Sequence, residues 1–301
     1  MSTINTGSFA KALWPGVNEW WGKGYAEHTK EYTDLFDTYK SRKAFEEDVG
    51  MSSFGLFQQR GEGQGVNYDS ERQGYITRYS HAEFALGFVI TKNAFKDDLY
   101  DVIGERRAKG LAFSFNQTIE TLAANVYNRA TTSGYNGGDG VVLLSASHPN
   151  IAGGTWSNKL ATAADLSEAA LEQATIDLMK FTNDRGLKIS IMPQSLIVPV
   201  DLVHVADKIM KTSTEVGTNN STVNVVRGKF PGGVKVNHYL TDTDAWFIRT
   251  NAPAGMKYFE REGLEFSTDN DFDTDNAKFK ATWRGSFGWT DPRAIFGSEG
   301  A

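Results

Sequence analysis

The sequence predicts an α+β fold, and three observations carry that prediction. Two period-two stretches flank a polar, Gly-rich segment inside residues 49–91, which reads as a long β-hairpin. A single helical pattern then spans residues 93–132. After a mixed region, two further period-two stretches close the chain as a terminal hairpin. Strands and helices come in runs rather than in strict alternation, which is the pattern of an α+β chain.

Residues 1–48 scatter Trp14, Trp20, Trp21, Tyr25, Tyr32, Leu35 and Phe36 through a polar background. Their spacing is only partly helical, so the segment reads as an arm that must pack on something to be ordered, or as a helix docked on its own domain. In the hairpin, Phe54, Leu56 and Gln58 lead out and Tyr75, Thr77, Tyr79, Phe84, Leu86 and Phe88 lead back. Its tip, RGEGQGVNYDSERQG at residues 60–74, is too long and polar for a core connection and signals either function or disorder. Gly61, Gly63 and Gly65 do not make a phosphate loop, because Val66-Asn67-Tyr68-Asp69 follows them instead of a helix.

The long helix has one apolar stripe from Phe95, Leu99, Val102 and Ile103 and a second from Phe115, Ile119, Leu122 and Val126. Asp97 and Asp98 near its start suit the helix dipole. Gly110 leaves two readings open, one long helix or two helices joined there. Residues 134–160 read as a Gly-rich loop around a strand at 141–144, and a helix is expected from Asp165 through Phe181.

Residues 187–210 are the best specified. Leu196, Ile197 and Val198, bounded by Pro193 and Pro199, read as a buried strand. Asp201 stands where an N-cap belongs, and Leu202, Val205, Ala206 and Ile209 share one helical face. Strands follow at 223–226, 234–239 and 245–248, and the terminal hairpin at 256–267 and 277–290. In its second strand Phe279, Ala281, Trp283 and Gly285 alternate with Lys280, Thr282 and Arg284, the pattern of a half-buried strand.

Composition narrows the function. The 301 residues carry a net charge of −6 with no dense basic run, unlike a dedicated nucleic-acid binder. There is no Cys, which removes disulfides and thiolate metal sites. No stretch of ~20 apolar residues suggests a membrane span, and the first residues lack a secretory pattern. Aromatic residues make up 12% of the chain, a composition that suits either extensive self-contact or a rich core.

Chemistry-bearing motifs are sparse. The strand-to-helix junction Pro199-Val200-Asp201-Leu202 has no Gly-rich cradle and no nucleophile. The acidic turn at 267–276 places Asp269, Asp271, Asp273 and Asp275 in the alternation of a calcium loop. It has Thr274 and Lys280 where that loop needs Gly and Glu. No pair among the five histidines has zinc spacing. Ser145 and His148 offer a hydrolase reading without the nucleophile-elbow motif, and His148 before Pro149 reads better as a residue that shapes a loop. No catalytic, metal or cofactor site is assigned.

Three segments, in order, carry a resemblance. SLIVPVDLVHVADKIM at 195–210, GGDGVVLLSASHPNIAGGTWSN at 137–158 and FKATWRGSFGWTDPRAIFGS at 279–298 are similar to segments of tailed-bacteriophage major capsid proteins, particularly Mu-like major head subunits. The resemblance implies a Hong Kong 97-type capsid fold. It would have an N-terminal arm at 1–48, an extended loop at 49–91, a peripheral domain at 92–164 and 255–282 carrying the spine helix, and an axial domain at 165–254 and 283–301. It implies a structural protein, not an enzyme, that builds an icosahedral head from hexamers and pentamers of itself. Trp14, Trp20 and Trp21 would anchor the arm on neighbours, and Phe54, Phe57, Tyr68, Tyr75 and Tyr79 would hold the extended loop there. A separate scaffold protein, a portal, a decoration protein and non-specifically contacted double-stranded DNA are the implied partners, with assembly in the host bacterial cytoplasm and a final place in the virion. An encapsulin-like compartment shares the implied fold and is the alternative shell. An α/β hydrolase-like enzyme using Ser145 or His148 is the alternative from another class.

Overall fold

The computed structural model describes residues 29–93, 100–214, 223–271 and 276–301. A short helix α1 (Tyr32–Leu35) opens it, followed by β1 (Asp37–Lys40), β2 (Phe45–Met51), β3 (Gln73–Ser80), β4 (Ala82–Ile90) and the long helix α2 (Tyr100–Asn128). Next come two-residue strands β5 (His148–Pro149) and β6 (Thr155–Trp156), helix α3 (Glu168–Met179), β7 (Pro193–Pro199) and helix α4 (Val203–Lys211). The chain ends with β8 (Val234–Asn237), β9 (Trp246–Thr250), β10 (Met256–Asn270), β11 (Ala277–Trp289) and β12 (Ile295–Ser298). The expected α+β layout is present.

Two four-stranded sheets organise these elements, one in the order β1-β10-β11-β4 and the other β12-β9-β7-β8. β7 explains its own sequence. Leu196 and Val198 pack on one face of the second sheet with Trp246, Ile248 and Phe296, against α3 and α4. Ile197 packs on the other face with Phe247 and Ile295, in a core shared with the long helix and the first sheet. Both faces are covered there, so the strand's centre, residues 196–198, must be apolar at every step rather than at alternate ones.

The long helix runs unbroken through Gly110, whose side faces open space, so the one-helix reading holds. Its 29 described residues span about 44 Å. The expected second stripe, Phe115, Ile119, Leu122 and Val126, faces the core, and alanines widen it. Ala108, Leu111, Ala112, Ile119, Ala123, Ala124 and Tyr127 are buried, and Phe115, Leu122 and Val126 flank them. Alanines let the first sheet approach closely, and large rings from that sheet fill the space: Trp283 meets Phe115 edge-on at 6.1 Å. Phe95, Leu99, Asp97 and Asp98, and the side chains of Val102 and Ile103, lie outside the described residues. We expect Phe115→Asp to lower subunit stability by about 2–3 kcal/mol, since it sets a charge against Trp283 and the apolar cluster around it. Thermal melting measures this, and an unchanged melting temperature would place that ring outside the core.

Several local expectations are corrected. The hairpin consists of β2 and β3 alone, and β4 leaves it to pair with β11 in the first sheet. Residues 54–58 form no strand; the outgoing strand lies earlier, at Phe45–Met51. The expected strand at 141–144 reduces to one bridge between Asn136 and Val142, and that at 223–226 to one between Thr214 and Val223. The helix expected from Asp165 starts at Glu168, because the Ser167 side chain accepts the Ala170 N–H at 3.2 Å. Asp201 caps nothing: a 3₁₀ turn at Val200–Leu202 leads into α4, and Val203 N–H is already satisfied by Val200 C=O.

Candidate functional site

The feature that stands out is a surface, the hairpin and its tip. Residues 52–72 contain no strand or helix. Phe57 and Tyr68 are fully exposed, and Phe54, Leu56, Met51 and Val66 are more than half exposed. Large apolar side chains held in water along one loop make it the candidate surface, since a core connection would bury them.

The base of this loop is held firmly while its tip is not. Asp48 on β2 forms an ion pair with Lys257 on β10 and accepts the Thr290 hydroxyl at 2.7 Å. At Gly138 a Cβ would lie 2.8 Å from Ile76 C=O, so only glycine lets the Gly-rich loop pack against β3. Further out, Arg185 reaches Asp69 at 2.5 Å and the Ser70 carbonyl at 2.5 Å, and Asn183 donates to Ser53 Oγ at 2.8 Å. The Gly55 N–H, then Arg185, holds the Asp69 carboxyl down to about 2. These contacts fix where the loop leaves the body. Beyond them, residues 56–68 project their rings outward.

Of the residues expected to touch neighbours, Phe54, Phe57 and Tyr68 lie on this exposed loop, and Tyr75 is partly exposed on β3 at its base. Tyr79 is a correction. It is 3% exposed, its hydroxyl lies 2.7 Å from Thr290 Oγ1, and its ring meets Phe259 at 4.8 Å. It pins the hairpin to its own subunit and has no surface to offer a neighbour. Trp14, Trp20 and Trp21 lie outside the described residues.

The Ser145–His148 region is built for structure. His148 is fully buried and stacks on Trp156 at 4.8 Å. Its Nδ1 lies 2.7 Å from Asp139 Oδ2 and its Nε2 3.1 Å from Asn158 Oδ1. Both ring nitrogens are therefore engaged, and Ser145 Oγ instead faces Ser147 at 3.4 Å. No hydrogen bond joins Ser145 to His148 as a nucleophile and base would require. The hub is Asn158, which sequence reasoning missed. Its amide donates to the carbonyls of Leu143, Pro292 and Ile295 at 2.7, 3.3 and 3.3 Å, and its oxygen accepts the Ser145 N–H at 2.9 Å. No periodicity marks a buried asparagine inside TWSNK; only the need to satisfy loop carbonyls would have pointed to it.

In the acidic turn, Asp271 pairs with Lys278 at 2.9 Å, so that carboxylate is already engaged by the opposite strand. Asp273, Thr274 and Asp275 lie outside the described residues. Among the described residues no group of three or more acidic or histidine side chains is placed to hold a metal ion, and no helix is long and apolar enough to cross a membrane.

A family model described as phage capsid protein matches residues 74–297. Solved structures agree in fold. The procapsid of bacteriophage JBD30 is 13% identical with a TM-score of 0.55, covering 98% of this chain and 76% of that chain. The capsid of the native GTA particle is 14% identical with a TM-score of 0.55, covering 91% of each. A virus-like particle from Pyrococcus furiosus is 13% identical with a TM-score of 0.50, covering 94% of this chain and 98% of that one. At these identities the likeness is one of fold. A comparison with curated protein sequences finds no match.

Proposed function

Since this chain belongs to the phage capsid protein family, matched over residues 74–297, we propose that its loop at residues 52–72 clasps a neighbouring copy in the shell. The chain is a major capsid protein of the tailed-phage type with the Hong Kong 97-type fold, and its work is association. The observation that carries the proposal is the contrast within the hairpin. Its base is locked by the Asp48–Lys257 pair and by Tyr79, while Phe54, Leu56, Phe57 and Tyr68 have no core to enter. Such residues are stable in water only at a cost of exposed apolar area, and a second subunit removes that cost.

In this reading the peripheral domain comprises the first sheet and the long helix, with β11 kept whole to Trp289. The axial domain comprises the second sheet with α3 and α4 and surrounds the centres of hexamers and pentamers. Each interface can be modest, because closed symmetry multiplies weak contacts. Trp14, Trp20 and Trp21 extend the grip through the N-terminal arm. A separate scaffold protein, a portal, a decoration protein and non-specifically held double-stranded DNA complete the assembly, which forms in the host cytoplasm and ends in the virion. The net charge of −6 suits a container that holds DNA without gripping it. The phage family match favours a genome-enclosing head over an encapsulin-like compartment.

The absence of cysteine makes the clasp directly testable. Phe57→Cys labelled with a benzophenone maleimide should, on illumination, give covalent multiples of the 33.2 kDa chain. Cross-links confined to a single chain would remove the loop from the interface.

A further inference from the structure

Among the described residues Glu120 is the one acidic side chain on the buried face of the long helix, 4% exposed among Asn116, Ile119 and Ala123. Its Oε1 accepts the Glu31 N–H at 2.9 Å, and the Tyr32 N–H also donates to this carboxyl. These are the amides at the start of α1, whose own first residues supply no side-chain cap. The second oxygen, Oε2, is buried with no hydrogen-bond partner. The same short segment is held from the other side, where Glu31 accepts from His238 N–H at 3.0 Å and meets its Nδ1 at 2.6 Å.

We propose that Glu120 is a proton-coupled latch for residues 29–32, where the N-terminal arm joins the body, and that ionising its carboxyl loosens the hold. A buried carboxylate with one oxygen unsolvated is costly, whereas the neutral acid keeps its acceptor role toward the two amides at much lower cost. Burial pushes the Glu120 carboxyl up to about 7; the two backbone donors and Lys30 oppose the rise, and the Glu31 charge adds to it. The groups facing it are Glu31 and Lys30 on the segment and Tyr239 beyond β8, with His238 acting through Glu31. Opening the segment wets Glu120 and returns it toward the ordinary glutamate value. The docked state therefore holds a proton that the open state gives up. Its extra stability is complete below the ordinary value of 4.5 and is lost as pH rises through about 7. The latch is tight in mild acid and loose in mild base. Tyr32, Leu35 and Phe36 stay anchored in the core, so the loosening is confined to residues before α1 and its first turn.

Hydrogen exchange on the intact protein, read by mass spectrometry for the peptide spanning residues 29–36 and normalised to intrinsic rates, tests this. Between pH 8.5 and 5.5 the protection of this peptide should rise on the order of tenfold. Glu120→Gln keeps an acceptor oxygen but cannot ionise, so its protection should be nearly independent of pH. His238→Gln should keep the wild-type dependence. A flat wild-type profile, or a dependence that survives in Glu120→Gln, would overturn the proposal. Loss of the dependence in His238→Gln alone would transfer the latch to the Glu31–His238 pair and likewise refute the role of Glu120. None of these outcomes depends on whether the loop at 52–72 clasps a neighbour.

Discussion

Asn158→Ala should destabilise the subunit by about 3–5 kcal/mol, enough to leave little soluble folded protein. Asn158 is wholly buried, and its amide is the donor for three carbonyls from two separate stretches of chain, Leu143 and the pair Pro292 and Ile295. Its oxygen serves the Ser145 N–H and the His148 ring. Truncation takes the acceptor from the Ser145 N–H, the partner from His148 Nε2 and a donor from each carbonyl, of which Pro292 keeps the Ile295 N–H, in an interior that water does not reach, which is the expensive case for a lost hydrogen bond. It also unties the Gly-rich loop from the end of the chain, where Gly297 N–H donates to the Asn158 carbonyl and β12 begins its pairing with β9. Asn158→Asp should be nearly as harmful, because a carboxylate cannot donate to the three carbonyls. Chemical denaturation of the variants measures the effect. A cost below about 1 kcal/mol would show that the loop and the terminal strand hold together without this hub.

Deleting residues 56–68, and closing the gap with a short Gly-Ser turn, should leave a folded subunit that no longer assembles. The deletion removes Leu56, Phe57, Val66 and Tyr68, which are exposed. It keeps the Asp69–Arg185 pair, all of β3 and the packing of Gly74 against Ile151, so the body loses no buried contact. A larger cut through Gly74 would enter β3 and confuse folding with assembly. Circular dichroism and the melting temperature should match the parent protein, while sedimentation should show only small species. A strongly lowered melting temperature would make the tip part of the fold, and undisturbed assembly would show that the clasp lies elsewhere.

How much of this was legible in the sequence depends on how local the determining interactions are. β7 could be read because both faces of its centre are covered, which forces the unbroken apolar run Leu196-Ile197-Val198 before Pro199. β11 could be read because one face is buried, and Phe279, Ala281 and Trp283 record that alternation directly. β2 was missed because its alternation is inverted: Glu46, Asp48 and Gly50 are the partly buried positions of FEEDVGM while Phe45, Val49 and Met51 face water, and its register is set by β3 and by Lys257 rather than by apolar burial. Tyr79 was misassigned for the same reason at longer range. Its partner Thr290 is 211 positions away, and nothing near Tyr79 reports that distance. The aromatic content pointed two ways, to self-contact or to a rich core, and the described residues divide between a buried and an exposed set. Tyr32, Phe36, Tyr127, Tyr258 and Trp283 fill the core, while Phe54, Phe57 and Tyr68 stay outside it. Glu120 and Asn158 were invisible because a buried polar residue is defined by the backbone groups it meets, and those come from other parts of the chain.

The central claim is that this chain exists to associate with copies of itself into a closed shell. A negative-stain image of the purified protein, taken across a range of salt and with scaffold supplied, tests it most directly. The account predicts shells, tubes or ring-shaped capsomers of many 33.2 kDa chains. A field of uniform single subunits under every condition would contradict it.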